Sequence, residues 1–519
     1  MNTDTGPALY ARFLRGLERS PDVPAFEVGA EAPSYAQTHR RALLWAGALA
    51  RAGARTVGVL AGKGTTAYTG VLAALYAGAA VVPLRPDFPP DRTRRMLAAS
   101  GATAVVADRA GAAALPGLTA GGAPVDVLAP DGGPGTLAPE PGHALPRPRP
   151  VGSEDPAFLL FTSGSTGRPK GVTVTHGGTD HYFRLLDERY DFGPGDVFSQ
   201  TFDLNFDCAL FDMFCAWGVG ARLVAVPPAA YRDLPAFLAE RRVTVWFSTP
   251  SAIGLVRRTG RLGAATMPGL RWSFFAGEAL QCGDAADWER AAPASALENL
   301  YGPTELTVTV TAHRWAADVS PHRAVNGVVP VGTPHPGHDI VLLDEEGRPT
   351  TEEGELCVTG PQLTPGYLDP DDGRDRFLRL DSRVWYRTGD RVRRLADGEL
   401  LYLGRLDAQV QVHGLRVELA EVDHALRACP GVEEAATVGV TTDSGTGLFA
   451  FYTGTPVPPS ELARGLRRTL PEAVIPRHYQ HVDALPLNPN RKVDRSGLAT
   501  RAGEVLARRG RAVPESSTQ

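Results

Sequence analysis

Apolar and polar positions recur along this chain in two periods, and the changes of period mark its layout. In the first hundred residues, helical spacing surrounds Arg40–Ala52, Ala67–Ala77 and Pro90–Ala99, and short apolar runs at Thr56–Leu60, Ala79–Val82 and Ala102–Ala107 alternate with them. That alternation predicts βαβ units on a parallel sheet, because parallel neighbours need a crossover long enough to be a helix. The uncharged stretch Gly64–Leu84 is long enough to test as a membrane span, yet Gly70, Gly78 and Pro83 interrupt it. It reads instead as a buried helix, a cap at Gly78 and a strand. Residues 110–153, rich in Gly, Ala and Pro, read as a connector with no assigned element. Alternation resumes from Phe158 to about Thr311. From Gly327 to Leu403 the chain turns β-rich, with hairpin signals in DEEGRP and ADGE, and a compact α+β segment comes after it, from about Gln409. The expected fold class is α/β, with a large multi-sheet N-terminal domain over 1–403, a small α+β domain over 408–500 and a tail over 501–519.

Composition narrows the function classes. With 519 residues, 43% apolar and 21% charged, the chain can bury a sizeable core, which excludes disorder as its main state. A formal charge of −5 offers no basic field for bulk nucleic-acid binding. The N-terminus MNTDTGPALYARFLRGLERS has no apolar signal core, and no membrane span is expected. Cys208, Cys215, Cys282, Cys357 and Cys429 form no CxxC pair, so neither a disulfide framework nor a zinc cluster is expected, and a reducing cytoplasm fits. Among 53 basic residues, lysine occurs only at Lys63, Lys170 and Lys492. Where arginine is the usual cation, each lysine is a candidate for work that needs a compact ammonium, the alternative being that the three are leftovers.

The densest chemical signal is FLLFTSGSTGRPKGV, Phe158 to Val172. An apolar strand runs into Thr162, Ser163, Gly164, Ser165, Thr166 and Gly167, then Lys170. Glycines permit close backbone approach, hydroxyls donate, and lysine adds charge, a set suited to a polyphosphate. It is not a P-loop, because Arg168 and Pro169 separate Gly167 from Lys170.

TSGSTGRPKG resembles the phosphate loop of the adenylate-forming superfamily, which includes acyl-CoA synthetases, luciferases and the adenylation domains of nonribosomal peptide synthetases. The other family motifs occur in order: ENLYGPTE at Glu298–Glu305, GELCVTG at Gly354–Gly360, YRTGD at Tyr386–Asp390, YLGRLDAQVQVHGLRVE at Tyr402–Glu418 and LPLNPNRKVDR at Leu485–Arg495. The resemblance covers nearly the whole chain. It implies a large N-terminal core, a hinge over 404–407 and a mobile C-terminal lid, with the active site in the cleft. It further implies ATP and Mg²⁺. Tyr301 would stack on adenine and Asn299 read its amino group, with Ala276, Gly277 and Glu278 on the other face and Gly302 next in the motif. An aromatic face and an amide carrying donor and acceptor suit a purine. Thr304 would contact the α-phosphate, Glu305 hold Mg²⁺, and Asp390 accept from the ribose hydroxyls beside Arg405; a hard cation prefers carboxylate oxygen. Lys492 matches the adenylation lysine, although Asn490–Arg491–Lys492 stands where the family usually reads Asn–Gly–Lys, and Gln411 stands where relatives commonly carry Lys. Asp407 matches the hinge residue.

The substrate reading rests on register. QTFDLNFDCALFDMF matches amino-acid-activating relatives with Asp207 at the ammonium-binding position; the alternative is that Asp207 caps a helix starting near Cys208. Asp203 and Asp212 are the rival carboxylates, expected outside the pocket. The same register makes Cys208, Phe211, Phe247, Phe274, Ala276, Leu300, Val308 and Thr309 the side-chain pocket. Nothing there is charged, and three Phe with a Leu take up volume, which implies a small or medium apolar amino acid. Resemblance to relatives that load proline favours proline, with alanine and other small aliphatics open. The segment after Arg495 is too short for a carrier domain and has no GGxS site, and no condensation domain precedes residue 1, so a free-standing phosphopantetheinyl carrier protein is the expected partner. The tail reads as a short helix with a frayed end. Two rival readings are an acyl- or aryl-CoA ligase of the same superfamily, which generally lacks the Asp, and a non-catalytic nucleotide-binding regulator.

Overall fold

The computed structural model describes residues 6–119, 125–133, 135–162, 168–406, 409–412, 414–442, 445–486 and 493–511. They form two compact units, one carried almost wholly by residues up to Leu406 and one by the residues after it.

The larger unit holds three sheets. The first comprises β1 (Thr56–Leu60), β2 (Ala80–Leu84), β3 (Ala104–Ala107), β4 (Asp126–Leu128), β5 (Pro156–Thr162) and β6 (Lys170–Thr175), in the order β4-β3-β1-β2-β5-β6. All its pairings are parallel except β5 with β6. Strand β1 is buried from Val57 to Leu60, as expected for a sheet covered on both faces. The helix Tyr35–Arg51 begins on a capping box, in which Ser34 accepts from the Gln37 amide and Gln37 reaches back to the Ser34 amide. The helix Thr65–Tyr76 is buried all round and ends before Gly78 at φ +72°. Within the connector, where no element was expected, the chain forms a helix, Arg109–Thr119, and strand β4.

The second sheet contains β7 (Val197–Gln200), β8 (Arg222–Ala225), β9 (Val245–Ser248), β10 (Trp272–Phe275), β11 (Ala296–Tyr301), β12 (Thr311–Arg314) and β13 (Thr333–Pro334), in the order β13-β12-β11-β10-β9-β7-β8. Strands β7 to β11 pair in parallel, so their carboxyl ends point the same way, where open α/β sheets hold ligands. The third sheet is antiparallel: β14 (Asp339–Leu343), β15 (Pro349–Thr350), β16 (Glu353–Thr359), β17 (Phe377–Leu380), β18 (Arg383–Arg394) and β19 (Leu400–Arg405). Its β14–β15 and β18–β19 turns fall at the two hairpin signals.

The smaller unit pairs β20 (Gln409–Val412) with β21 (Leu415–Glu418), and sets β22 (Val432–Thr442), β23 (Gly445–Gly454) and β24 (His478–His481) in a second sheet. Helices Leu419–Arg427 and Pro459–Leu466 pack on one side through Val422, Leu426 and Leu462, and helix Arg495–Arg511 packs through Leu498 and Ala502 against Val438, Phe449 and Phe451.

Candidate active site

Period-two alternation divides the carboxyl ends of β9, β10 and β11 between two faces. Phe247 and Phe274 are register partners, and Leu300 lies on the same face as Phe274 and Ala276. All four join Phe211, Val308 and Cys208 in one apolar cluster. The Phe211 ring meets those of Phe247 and Phe274 at 4.8 and 5.1 Å between centroids, edge to face, and Phe202 closes on Phe247 at 4.8 Å. Thr309 shares a hydrogen bond with the hydroxyl of Tyr182, 3.1 Å away. Seven of the eight expected pocket residues thus share one apolar cluster, and Thr309 bonds to a further member of it, Tyr182, which the motif register did not supply.

Asp207 lies just before the helix Cys208–Val219, with 8% of its surface exposed. Its side chain makes no cap hydrogen bond to the N2 or N3 amide of that helix, although the first helical residue, Cys208, donates toward it. Among the described residues its Oδ2 meets no donor. Burial pushes the carboxyl up to about 6; Thr304 and Cys208 hold it down in part, and the charge of Glu305 adds to the rise. Of the rival carboxylates one is ion-paired, and the other, although its Oδ2 likewise meets no donor among the described residues, faces a lysine. Asp203 pairs with Arg85 and is 36% exposed. Asp212 is fully buried, takes the Thr201 backbone amide, faces Lys63, and is pushed well above the carboxylate range by burial. Lys63, left without a role by the motifs, donates to the carbonyls of Gln200 at 3.3 Å and Thr201 at 2.7 Å. Burial lowers its ammonium, and Asp203 and Asp212 oppose that.

The residues expected to meet the nucleotide fall into smaller contact sets. Asn299 Nδ2 donates to the carbonyls of Val329 (3.3 Å) and Pro330 (2.9 Å), so its carboxamide oxygen is the atom left for an exocyclic amine. Tyr301 donates to Asp390 Oδ2 at 2.6 Å, and Arg405 donates to Asp390 Oδ1 at 2.8 Å across the β18–β19 pairing. Gly277 takes φ +84°, and Glu278 accepts from the Ser251 amide at 2.9 Å. Thr304 and Glu305 begin a single 3₁₀ turn, Thr304–Leu306. The Glu305 carboxylate is buried and accepts from Tyr367 at 2.5 Å. Lys170 opens β6 opposite Thr162, is 8% exposed, and lies with Nζ 5.8 Å from the centre of the Tyr367 ring. Tyr367 was missed because a lone Tyr in PGYL carries no spacing that distinguishes it from core. Ser163, Gly164, Ser165, Thr166, Gly167, Asp407 and Lys492 lie outside the described residues. No group of His, Cys, Asp and Glu among the described residues forms a preassembled metal cluster, and no helix there is long and apolar enough to cross a membrane.

A buried carboxylate, Asp207, thus precedes a helix of the apolar cluster, while Asn299 and Tyr301 stand at the end of β11, Asp390 on β18 and Lys170 on β6. Known proteins share the pattern. The AMP-binding enzyme family model matches residues 13–368, and the AMP-binding enzyme C-terminal domain model matches residues 421–492. An L-proline–[L-prolyl-carrier protein] ligase of Streptomyces coelicolor is 35% identical over 500 residues, covering 91% of this chain and 92% of that protein. Phosphinothricin tripeptide synthetase PhsC of Streptomyces viridochromogenes is 35% identical over 513 residues, covering 94% of this chain but 45% of that protein, so the chain spans less than half of that relative. Among solved structures, IdnL7 is 59% identical with a TM-score of 0.76, covering 96% of this chain and 99% of that one. The Vibrio cholerae adenylation domain AlmE, solved with glycyl-adenosine-5'-phosphate, is 26% identical with a TM-score of 0.85, covering 97% and 98%. The chain belongs to the family of AMP-binding, adenylate-forming enzymes.

Proposed function

We propose that this protein activates a small or medium apolar amino acid as aminoacyl-AMP and passes it to the phosphopantetheine thiol of a separate carrier protein. The observation that carries this reading is Asp207, a buried carboxylate in an apolar pocket whose Oδ2 meets no donor among the described residues. A substrate ammonium is the partner such a group lacks. The contacting rings of Phe211, Phe247 and Phe274 take up volume, which supports a small or medium apolar side chain. Proline is the first candidate, supported by two relatives named as proline–carrier protein ligases, from Streptomyces coelicolor and Pseudomonas fluorescens. Alanine-sized amino acids belong in the same panel.

In the first step a carboxylate oxygen of the amino acid attacks the α-phosphorus of ATP. The bond to the β-phosphate bridging oxygen breaks, and pyrophosphate leaves. Asp207 fixes the ammonium, Asn299 and Tyr301 take adenine, Asp390 takes the ribose, and Thr304 meets the α-phosphate. Lys170 with the Thr162–Gly167 loop takes the outer phosphates, and Lys492 steadies the charge that gathers between carboxylate and α-phosphate. The buried oxygen of Glu305, with Lys170 and Tyr367 near it, fits a hard cation; Mg²⁺ held there would neutralise phosphate charge. In the second step the carrier thiol attacks the acyl carbon, the carbon–oxygen bond to AMP breaks, and the thiol proton is lost. The domains assigned are 1–403 and 408–500, with Asp407 as the hinge and 501–519 as the tail, although the helix Arg495–Arg511, packed through Ala502, carries the small domain past residue 500.

ATP–pyrophosphate exchange across a panel of amino acids tests the reading. Exchange that depends on one or a few small or medium apolar amino acids supports it. Exchange driven only by carboxylic acids lacking an amine, with coenzyme A as acceptor, returns the acyl- or aryl-CoA ligase, and no exchange with any acid returns the non-catalytic regulator.

A further inference from the structure

The backbone of the pocket wall is strained. Thr307 and Val308 come directly after the Glu305 turn with φ of +54° and +71°. Two successive β-branched residues in the left-handed region are unfavourable and persist only where neighbours over-determine them. The segment is also crowded from the nucleotide side, since a Cβ at Gly302 would stand 2.6 Å from Thr309 Cα and 2.7 Å from the Val308 carbonyl oxygen.

One side chain holds this segment. Gln362 is wholly buried, and its Nε2 lies 3.0 Å from the Leu306 carbonyl, 2.9 Å from that of Thr307 and 3.0 Å from that of Thr309. Its two N–H groups are shared among three acceptors, which fixes the carboxamide orientation. Thr307 returns a hydrogen bond from its hydroxyl to the Gln362 carbonyl at 2.8 Å. The loop carrying Gln362 is itself fastened at both the metal side and β6. The Thr364 amide donates to the Glu305 carbonyl at 2.8 Å, its hydroxyl to the Thr173 carbonyl at 2.7 Å, and the Leu368 amide to the Gly171 carbonyl at 2.8 Å.

We propose that Gln362 is a positioning residue for amino-acid recognition: by clamping Leu306, Thr307 and Thr309 it keeps the strained backbone that sets Val308 and Thr309 as the pocket wall. The proposal rests on reading the site as an amino-acid pocket. Without the clamp the segment relaxes toward negative φ and Val308 withdraws, so the pocket loses its fit to one side chain. The nucleotide residues Asn299, Tyr301 and Asp390 lie on other elements and keep their partners.

The test uses the full chain in amino-acid-dependent pyrophosphate exchange, with thermal melting. Wild type must first show such exchange; if it does not, the reading of the site fails, not the clamp. Gln362→Met keeps the volume and removes the donors. It should raise the amino-acid KM by about tenfold, equivalent to ~1.4 kcal/mol, and narrow the preference over the next larger amino acid, while the ATP KM stays within about twofold. Thr307→Gly added to Gln362→Met should recover part of the KM, because glycine takes positive φ without the clamp. If Gln362→Met does not fold, Gln362→Asn, with its donors one methylene short, carries the same readouts. Unchanged selectivity, a parallel rise of both KM values, or a double variant no better than the single one would overturn the proposal.

Discussion

Asp207→Asn changes charge with almost no change of shape, so it isolates what the buried carboxylate does. The side chain is 8% exposed, and burial pushes its carboxyl up to about 6 from an ordinary 3.8. Keeping it ionised in the empty pocket therefore costs roughly 3 kcal/mol relative to the unfolded chain. The sign comes from the raised value. That cost is absent below about pH 3.8, grows as the pH rises to 6, and is constant above. Asp207→Asn should then melt higher than wild type at pH 7.5 and at the same temperature near pH 4. The same substitution should abolish the reason for the cost. An ammonium left in an apolar pocket without its carboxylate loses ~3–5 kcal/mol, a hundred- to several-thousand-fold in affinity.

Exchange assays of wild type, Asp207→Asn, Asp207→Ala and Asp203→Ala give the comparison. Both Asp207 variants should lose amino-acid affinity with little change for ATP, and Asp203→Ala, which breaks a half-exposed pair with Arg85, should be mild. In wild type the amino-acid KM should be flat above about pH 7 and rise by about tenfold per pH unit below 6, because only the carboxylate binds the ammonium. If Asp203→Ala is the damaging change and Asp207→Ala is silent, the register is wrong by four residues, and Cys208 and Phe211 leave the pocket with it. If neither matters, the substrate is not an amino acid.

Lys492→Ala should cut the exchange rate by orders of magnitude with ATP binding nearly intact, as read by pre-steady-state exchange and ATP titration, because its charge acts on the transition state. Phe247→Ala should admit larger amino acids in the exchange panel and lower stability by ~3–5 kcal/mol in denaturant melts, since it empties volume between Phe202, Phe211 and Phe274. Lys63→Met should lower the melting temperature by removing the donor to the Gln200 and Thr201 carbonyls and the charge that opposes the rise at Asp212, and adding Asp212→Asn should restore part of it. Burial depresses His335 to about 3 and His176 to about 4, with Arg189, His338 and His181 adding to the effect at His335 and Asp155 opposing it at His176. Their contribution is full above about pH 6.5 and is lost as the pH falls toward those values, so melting temperature should drop below pH 6.5, and less so in His335→Asn.

Much of this was legible in the sequence, and the misses have local causes. The run Thr56–Leu60 matched β1 because a fully buried parallel strand is a continuous apolar string. The helix at Tyr35–Arg51 started earlier than its apolar spacing suggested because the capping box Ser34–Gln37, also readable, sets the start. The helix Arg109–Thr119 was hidden by its own composition. Gly111 made the segment look like a loop, yet a Cβ there would stand 2.0 Å from the Leu60 carbonyl oxygen, so the glycine marks helix packed against strand rather than a turn. Pro116 added to the disguise while Ala112, Leu115 and Leu118 kept helical spacing.

Gln362 was illegible for a deeper reason. Motifs in a sequence are strings of side chains that meet a ligand, whereas Gln362 acts on three main-chain carbonyls, whose placement no residue name encodes. The backbone it holds contradicts local preference, since threonine and valine favour extended conformations and here take positive φ. A rule of propensity reads Thr307–Val308 as strand and continues β11 toward β12. The chain instead turns back there and brings Val308 to the pocket, just beyond a turn that carries Glu305. Local preference is overruled at the point where the proposed amino-acid pocket and the proposed metal-side carboxylate share a backbone, which is where strain is commonly kept for function and where we propose that Gln362 acts as the clamp.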